Sequence, residues 1–136
     1  MPQISLTTLS RIPLIKRGDD LVAVILRAAA DDGVEFADGD IVVLAQKIVS
    51  KAEGRLVPVA SVTPGEQAIE LANATDKDPR MAQLILDEAA YVMRRKPGVI
   101  IVRHKLGHVG ANAGIDQSNV EHEGGEHALL LPVDPD

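Results

Sequence analysis

Three stretches of this sequence hold side chains able to bind or move charge. The first is "GHVGANAGIDQSNV", residues 107–120, where one carboxylate, Asp116, sits among glycines and alanines between Asn112 and Asn119. Small residues let backbone approach a ligand closely, and a lone aspartate there is either a turn cap or an oxygen ligand for a hard cation. The residues alone leave both readings open. The second is "QKIVSKAEGR", residues 46–55, with Lys47 and Lys51 four apart and Lys51 leading a small-residue turn after an apolar run. Ligands of α/β proteins gather beyond the carboxyl ends of strands, so both amines are candidates for binding an anion, although two solvated surface lysines explain the same spacing. The third, "HEGGEH" at 122–127, has metal-binding residue types, but its glycines impose no ligand geometry and a mobile polar loop is the expected reading. His104 and His108, flanking a turn expected near Gly107, read as surface residues.

The regular phosphate-binding patterns are missing: there is no GxxxxGK[ST], and no GxGxxG between a strand and a helix. Composition narrows the field further. The chain has 136 residues, a formal charge of -6, no cysteine, no tryptophan, one Phe and one Tyr. Stacking of bases on aromatic platforms is therefore unavailable, and the acidic balance opposes phosphate neutralisation over a wide face, so no nucleic-acid partner is expected. Without cysteine there is neither a disulfide framework nor a thiolate zinc site. No signal-peptide pattern and no long apolar window occur, which points to a cytoplasmic protein with no membrane partner.

The elements that must position these residues read as one α/β (α+β) domain over 1–136: two layers, with a mixed, partly antiparallel sheet packed by about three helices. Alternation at Ile4 and Leu6 predicts a half-buried strand. Asp19 or Asp20 caps a helix carrying Leu21, Val24, Ile25 and Ala28 at helical spacing, with Gly33 as its stop. The run Ile41 to Leu44 predicts a strand buried on both faces, and Leu56 to Val59 a further extended segment. Thr63, Pro64 and Glu66 form a capping-box pattern. "DPRMAQLILDEAAYVMRRK" predicts a helix ending in cations at Arg94, Arg95 and Lys96, with Pro97-Gly98 as its terminator. A hairpin turning near Gly107 and a last strand-like run in "HALLLPVDPD" follow, and the core must be aliphatic.

"GDDL" at 18–21, "VSKAEGR" at 49–55, "DPR" at 78–80, "NAGIDQSNV" at 112–120 and "LLLPVDPD" at 129–136 together resemble the coenzyme F420-0:L-glutamate ligase family, in order and spacing and over essentially the whole chain. That resemblance implies a GTP-dependent ligase of coenzyme F420 biosynthesis. It would join L-glutamate to coenzyme F420-0, and γ-linked glutamate to F420-1, through an acyl phosphate, with Mg²⁺ or Mn²⁺ and K⁺ as cations. Carried over by position, the nucleotide contacts fall on Pro13, Leu14, Ile15, Lys16, Gln46, Lys47, Lys51 and Asn119. Lys51 is also the implied catalytic lysine, and Asp116 the implied metal ligand.

Members of that family are about twice as long, with further metal ligands on a later Asp-Thr pair and acidic residues. The expectation is therefore an N-terminal portion that does not complete the reaction alone. A homodimer is expected too. Two other readings are a non-catalytic nucleotide-binding or assembly module of the same fold, and a structural domain whose edge strands pair with another chain.

Overall fold

The computed structural model describes residues 3–117, 121–122 and 125–135. Among them four α-helices, α1 (Leu21–Asp32), α2 (Gln46–Ala52), α3 (Glu66–Thr75) and α4 (Pro79–Glu88), join six strands. These are β1 (Leu56–Pro58), β2 (Ala89–Lys96), β3 (Val99–His104), β4 (Val109–Ala111), β5 (Glu121–His122) and β6 (Gly125–Leu129). They pair as two antiparallel sheets, β1-β6-β5 and β2-β3-β4, so the expected α+β class holds.

Helix α4 serves both sheets. Its Ala82 and Ile85 pack with Ala68, Leu71 and Ala72 of α3, Ile100 and Val102 of β3, and Ala113. Its Met81 and Leu84 meet Val59, Ala128 and Leu130 on the other side, and Ile115 touches both clusters. The core is aliphatic, as composition requires, and both aromatic side chains, Phe36 and Tyr91, stay exposed.

Local signals set several element ends. Asp20 caps α1 by accepting from the Ala23 N–H at 3.1 Å, and Gly33 closes the helix in the left-handed region. Asp78 caps α4 in the same way, with Pro79 at the first helical position. The Thr63 capping box does not form: α3 begins at Glu66 after Gly65, whose extended backbone delays the helix and whose N–H donates to Gln83 Oε1 at 2.9 Å.

Two larger expectations are corrected. Helix α4 stops at Glu88, and Ala89–Lys96 is a strand against Val99–His104, with Lys96 opposite Val99 across Pro97-Gly98. Pro97 and Gly98, the latter at φ 77, suit the two central positions of a type II turn, so what reads as a helix stop is a hairpin tip. Tyr91 and Val92 favour a pleat, and "VIIVRH" supplies the ladder that helical propensity has to compete with. Residues 94–96 therefore line a strand and cannot complement a helix dipole.

The segments at Ile4–Leu6 and Ile41–Leu44 lie outside any strand and are exposed, Ile41 at 87% and Leu6 at 93%. An apolar β-branched run becomes a buried strand only where another strand offers a ladder, and none of the described strands pairs with these.

The turn before Asp116 is unusual. Asn112, Ala113 and Gly114 are successively left-handed, at φ 52, 54 and 70. For an L-residue this costs roughly 1–2 kcal/mol, and alanine has no side-chain hydrogen bond to offset it. The turn persists because the Ala113 methyl is shut in the core and Leu131 lies over Gly114. A Cβ at Gly114 would come within 2.7 Å of Leu131 Cδ1. Gly114→Ala is expected to destabilise the protein by about 2 kcal/mol in denaturant unfolding, with Leu131→Ala added to it restoring the overpacked share but not the strain.

Candidate functional site

Helix α2 carries three of the implied nucleotide residues, Gln46, Lys47 and Lys51. It is short, and it is tied at its end to the loop that carries Pro13, Leu14, Ile15 and Lys16: the Gly18 N–H donates to Ala52 O at 2.8 Å. That loop is a tight turn, with the Lys16 N–H donating to Asp19 Oδ2 at 2.8 Å. Ile15 is buried and anchors it, while Pro13, Leu14 and Lys16 are exposed. Gly54 is required here, since at φ 73 a Cβ would lie 2.6 Å from the Arg17 side chain packed across it.

On α2 itself, Gln46 donates through Nε2 to the buried Ser50 hydroxyl. Lys47 and Lys51, four apart, share one face of the helix. Lys47 Nζ lies 2.6 Å from Asp116 Oδ2, both side chains being partly open to solvent. The backbone of Asp116 is fixed in both directions: its N–H donates to Leu129 O at 3.0 Å and its carbonyl accepts from the Leu129 N–H at 2.8 Å. The fold thus joins the second and first candidate stretches, and places the Pro13–Lys16 turn at the far end of α2. Asn119 lies outside the described residues.

The rest of "SKAEGR" does structural work. Glu53 accepts from the backbone N–H groups of Val133 and Asp134, at 2.6 and 3.1 Å. Arg55 donates through Nε to Leu131 O at 2.9 Å and through Nη2 to Glu88 Oε2 at 2.5 Å. Both residues clamp α2 and β1 onto "LLLPVDPD".

His104 is not a surface residue. It is 2% exposed, its ring stacks on His108 at 4.8 Å, and its Nε2 stands 3.3 Å from Glu88 Oε2. Nδ1 accepts from the Leu106 N–H at 2.9 Å, so the neutral ring carries its proton on Nε2 and donates it to Glu88. Burial lowers the His104 pKa from its usual 6.5, against the upward pull of Glu88 and with His108 and Arg55 adding to the fall. The unfolded chain therefore binds more protons than the folded one once pH drops through 6.5. Stability is expected to be full above that value and to decline as pH falls from 6.5 toward the lower folded pKa; melting temperatures at pH 7.5 and 5.5 check this, and His104→Gln should flatten the slope.

A hard cation finds a limited donor set here. No group of three His, Cys, Asp or Glu able to hold a metal occurs among the described residues. Of "HEGGEH", Glu123 and Gly124 lie outside those residues, and His127 Nδ1 is 2.8 Å from Gly125 O. What the site does offer is the Asp116 carboxylate, already holding an ammonium cation. Four residues before it in the chain, Asn112 Oδ1 is a buried acceptor with no hydrogen-bond partner among the described residues. One carboxylate with water and phosphate oxygens completing the shell is a common arrangement for Mg²⁺. A groove of about 460 Å³ elsewhere, lined by Gln67, Glu70, Leu86, Arg94 and Arg95 among others, contains none of these residues, so concavity alone would point away from them.

With this geometry in hand, the sequence resemblance gains direct support. A family model for F420-0:Gamma-glutamyl ligase matches residues 10–136, and the chain belongs to that family. It is 41% identical over 133 residues to Coenzyme F420:L-glutamate ligase of Methanothermobacter thermautotrophicus, covering 98% of this chain and 52% of that protein. It is 42% identical over 130 residues to the ligase of the same name from Halobacterium salinarum, covering 91% and 48%. The protein of that name from Archaeoglobus fulgidus is 42% identical over 126 residues, covering 92% and 47%. The chain spans about half the length of the curated relatives it matches. No helix among the described residues is long and apolar enough to cross a membrane.

Proposed function

We propose that this chain is the N-terminal, nucleotide- and metal-holding portion of a GTP-dependent ligase that adds L-glutamate to coenzyme F420-0, and γ-linked glutamate to F420-1. The observation that carries the reading is the Lys47–Asp116 pair at 2.6 Å, which joins an implied nucleotide contact to the implied metal ligand. Lys16, Lys47 and Lys51 neutralise the phosphates of GTP, with Lys51 as the catalytic lysine beside the transferring group. Pro13, Leu14, Ile15, Gln46 and Asn119 complete the nucleotide contacts. Asp116 holds Mg²⁺ or Mn²⁺; K⁺ is the further cation of the reading. When bound, the divalent ion supplies charge neutralisation and orientation at the phosphates.

A carboxylate is a poor acyl donor, so it is first activated. One of its oxygens attacks the γ-phosphorus, the bond to the β–γ bridging oxygen breaks, and GDP leaves. The amine of L-glutamate then attacks the acyl carbon, loses a proton and expels inorganic phosphate, leaving an amide. The lysines act in the first half by holding the phosphates in line and offsetting charge as it moves onto GDP.

The full-length protein, supplied with GTP, Mn²⁺, L-glutamate and coenzyme F420-0, should release one GDP per amide formed; absence of turnover would overturn the reading in favour of a nucleotide-binding module. A homodimer belongs to the same proposal, and the exposed apolar run at 41–44 is surface that a second subunit would cover. Sedimentation as a clean monomer would contradict that part.

A further inference from the structure

Asn112 unites two features that native proteins seldom keep idle. Its Oδ1 is sealed from water with no hydrogen-bond partner among the described residues, and its backbone stands at φ 52 in a left-handed turn continued by Ala113 and Gly114. Orphaned buried acceptors are few, and they mark strain, catalytic groups or bound ions. Backbone held in sparsely populated regions concentrates at ligand clamps. Here both occur on one residue, on the turn that leads through Ile115 to Asp116.

The turn is held at every point. The Ile115 N–H donates to Asn112 O at 3.0 Å, the Ala113 side chain is 1% exposed, and Asp116 is bonded to Leu129 through both its backbone groups. Asn112 and Asp116 thus ride on one short segment whose conformation the core dictates. An amide oxygen is an acceptor only, and neutral carbonyl oxygens join carboxylates in the shells of hard cations.

We propose that Asn112 is a ligand-binding residue of the Asp116 site, its Oδ1 giving a neutral oxygen to the divalent cation directly or through one bound water. The inference rests on the metal assigned to Asp116 above and adds a second protein donor to it. A neutral donor leaves the charge of the cation available to phosphate oxygens.

Asn112→Gly is the decisive variant, because glycine adopts φ 52 without strain and removes the amide alone. Binding of Mn²⁺, with no nucleotide present, is measured on the full-length protein by the electron paramagnetic resonance signal of the free ion, beside the melting temperature. Asn112→Gly should weaken Mn²⁺ binding by about tenfold or more with a melting temperature equal to or above that of the parent. Asn112→Asp, which keeps an oxygen there, should retain Mn²⁺ binding or tighten it, and decides the matter if the glycine variant does not fold. Unchanged Mn²⁺ affinity in Asn112→Gly, or a fall that only tracks lost stability, would overturn the assignment. Asp116→Asn, measured alongside, separates the two levels: if it too leaves Mn²⁺ binding intact, the metal reading fails as a whole; if it alone abolishes binding, only the role of Asn112 fails.

Discussion

Asp116→Asn is expected to lower metal-dependent turnover of the full-length protein by about 100-fold or more, while its melting temperature moves by no more than about 3 °C. The amide has the shape of the carboxylate, so the backbone exchange with Leu129 that fixes this residue is untouched. What is lost is the charge. The ion pair to Lys47 is partly solvated, at 46% and 26% side-chain exposure, and such pairs contribute under about 1 kcal/mol to folding. On the function proposed above, its worth lies in placing a carboxylate beside an amine assigned to the phosphates of GTP. GDP release at rising Mn²⁺, with a thermal melt of the same sample, checks both halves; a parallel loss of activity and stability would mean that Asp116 is a structural residue.

Arg55→Met is expected to show the opposite split, with a loss of about 3 kcal/mol in folding stability and a melting temperature lower by roughly 10 °C. Arg55 is 20% exposed and Glu88 13%, so the pair is poorly hydrated. Removing the guanidinium leaves the Glu88 carboxylate facing His104, which is neutral under ordinary conditions, and leaves Leu131 O without its side-chain donor. Glu88→Gln added to Arg55→Met should recover part of the loss, because no unpaired charge then remains and an amide oxygen still accepts from His104. Chemical denaturation of the two single variants and the double one gives the coupling directly.

These contrasting expectations show what local pattern can and cannot carry. Helix α1 was legible at both ends because its signals are local: Asp20 bonds three residues on, and Gly33 needs only its own φ of 68. The β3–β4 hairpin around Gly107 was legible for the same reason. Pro97-Gly98 was read as a helix terminator, since choosing between stop and hairpin depends on the ladder from Val99 to His104. The run at 41–44 has the composition of a buried strand, yet burial needs a partner that composition does not name. His104 failed differently. Its spacing to His108 is a surface pattern, and the decisive neighbour, Glu88, is distant in sequence and marked only by its place at the end of a helix.

The candidate site divides in the same way. Lys47 and Lys51 were visible as a pair from their spacing of four, but they were read as lying in a turn after a strand, and the helix α2 that puts them on one face was not expected. Nothing in their spacing could reveal that Lys47 meets Asp116, a contact made through β6 and the strained turn at 112–114; the order of family motifs gave each residue a role but not their contact. Glu53 and Arg55 were inside a quoted motif but without a role, and their partners at 88, 131, 133 and 134 supply one.

The most direct measurement is equilibrium binding of GTP to the full-length protein with and without Mn²⁺, for the parent and for Lys47→Met. A single Mn²⁺-dependent site is expected, weakened about tenfold or more in the variant as one charge-assisted bond to phosphate is lost. Equal affinity in the two proteins would contradict a nucleotide site built on α2 and Asp116.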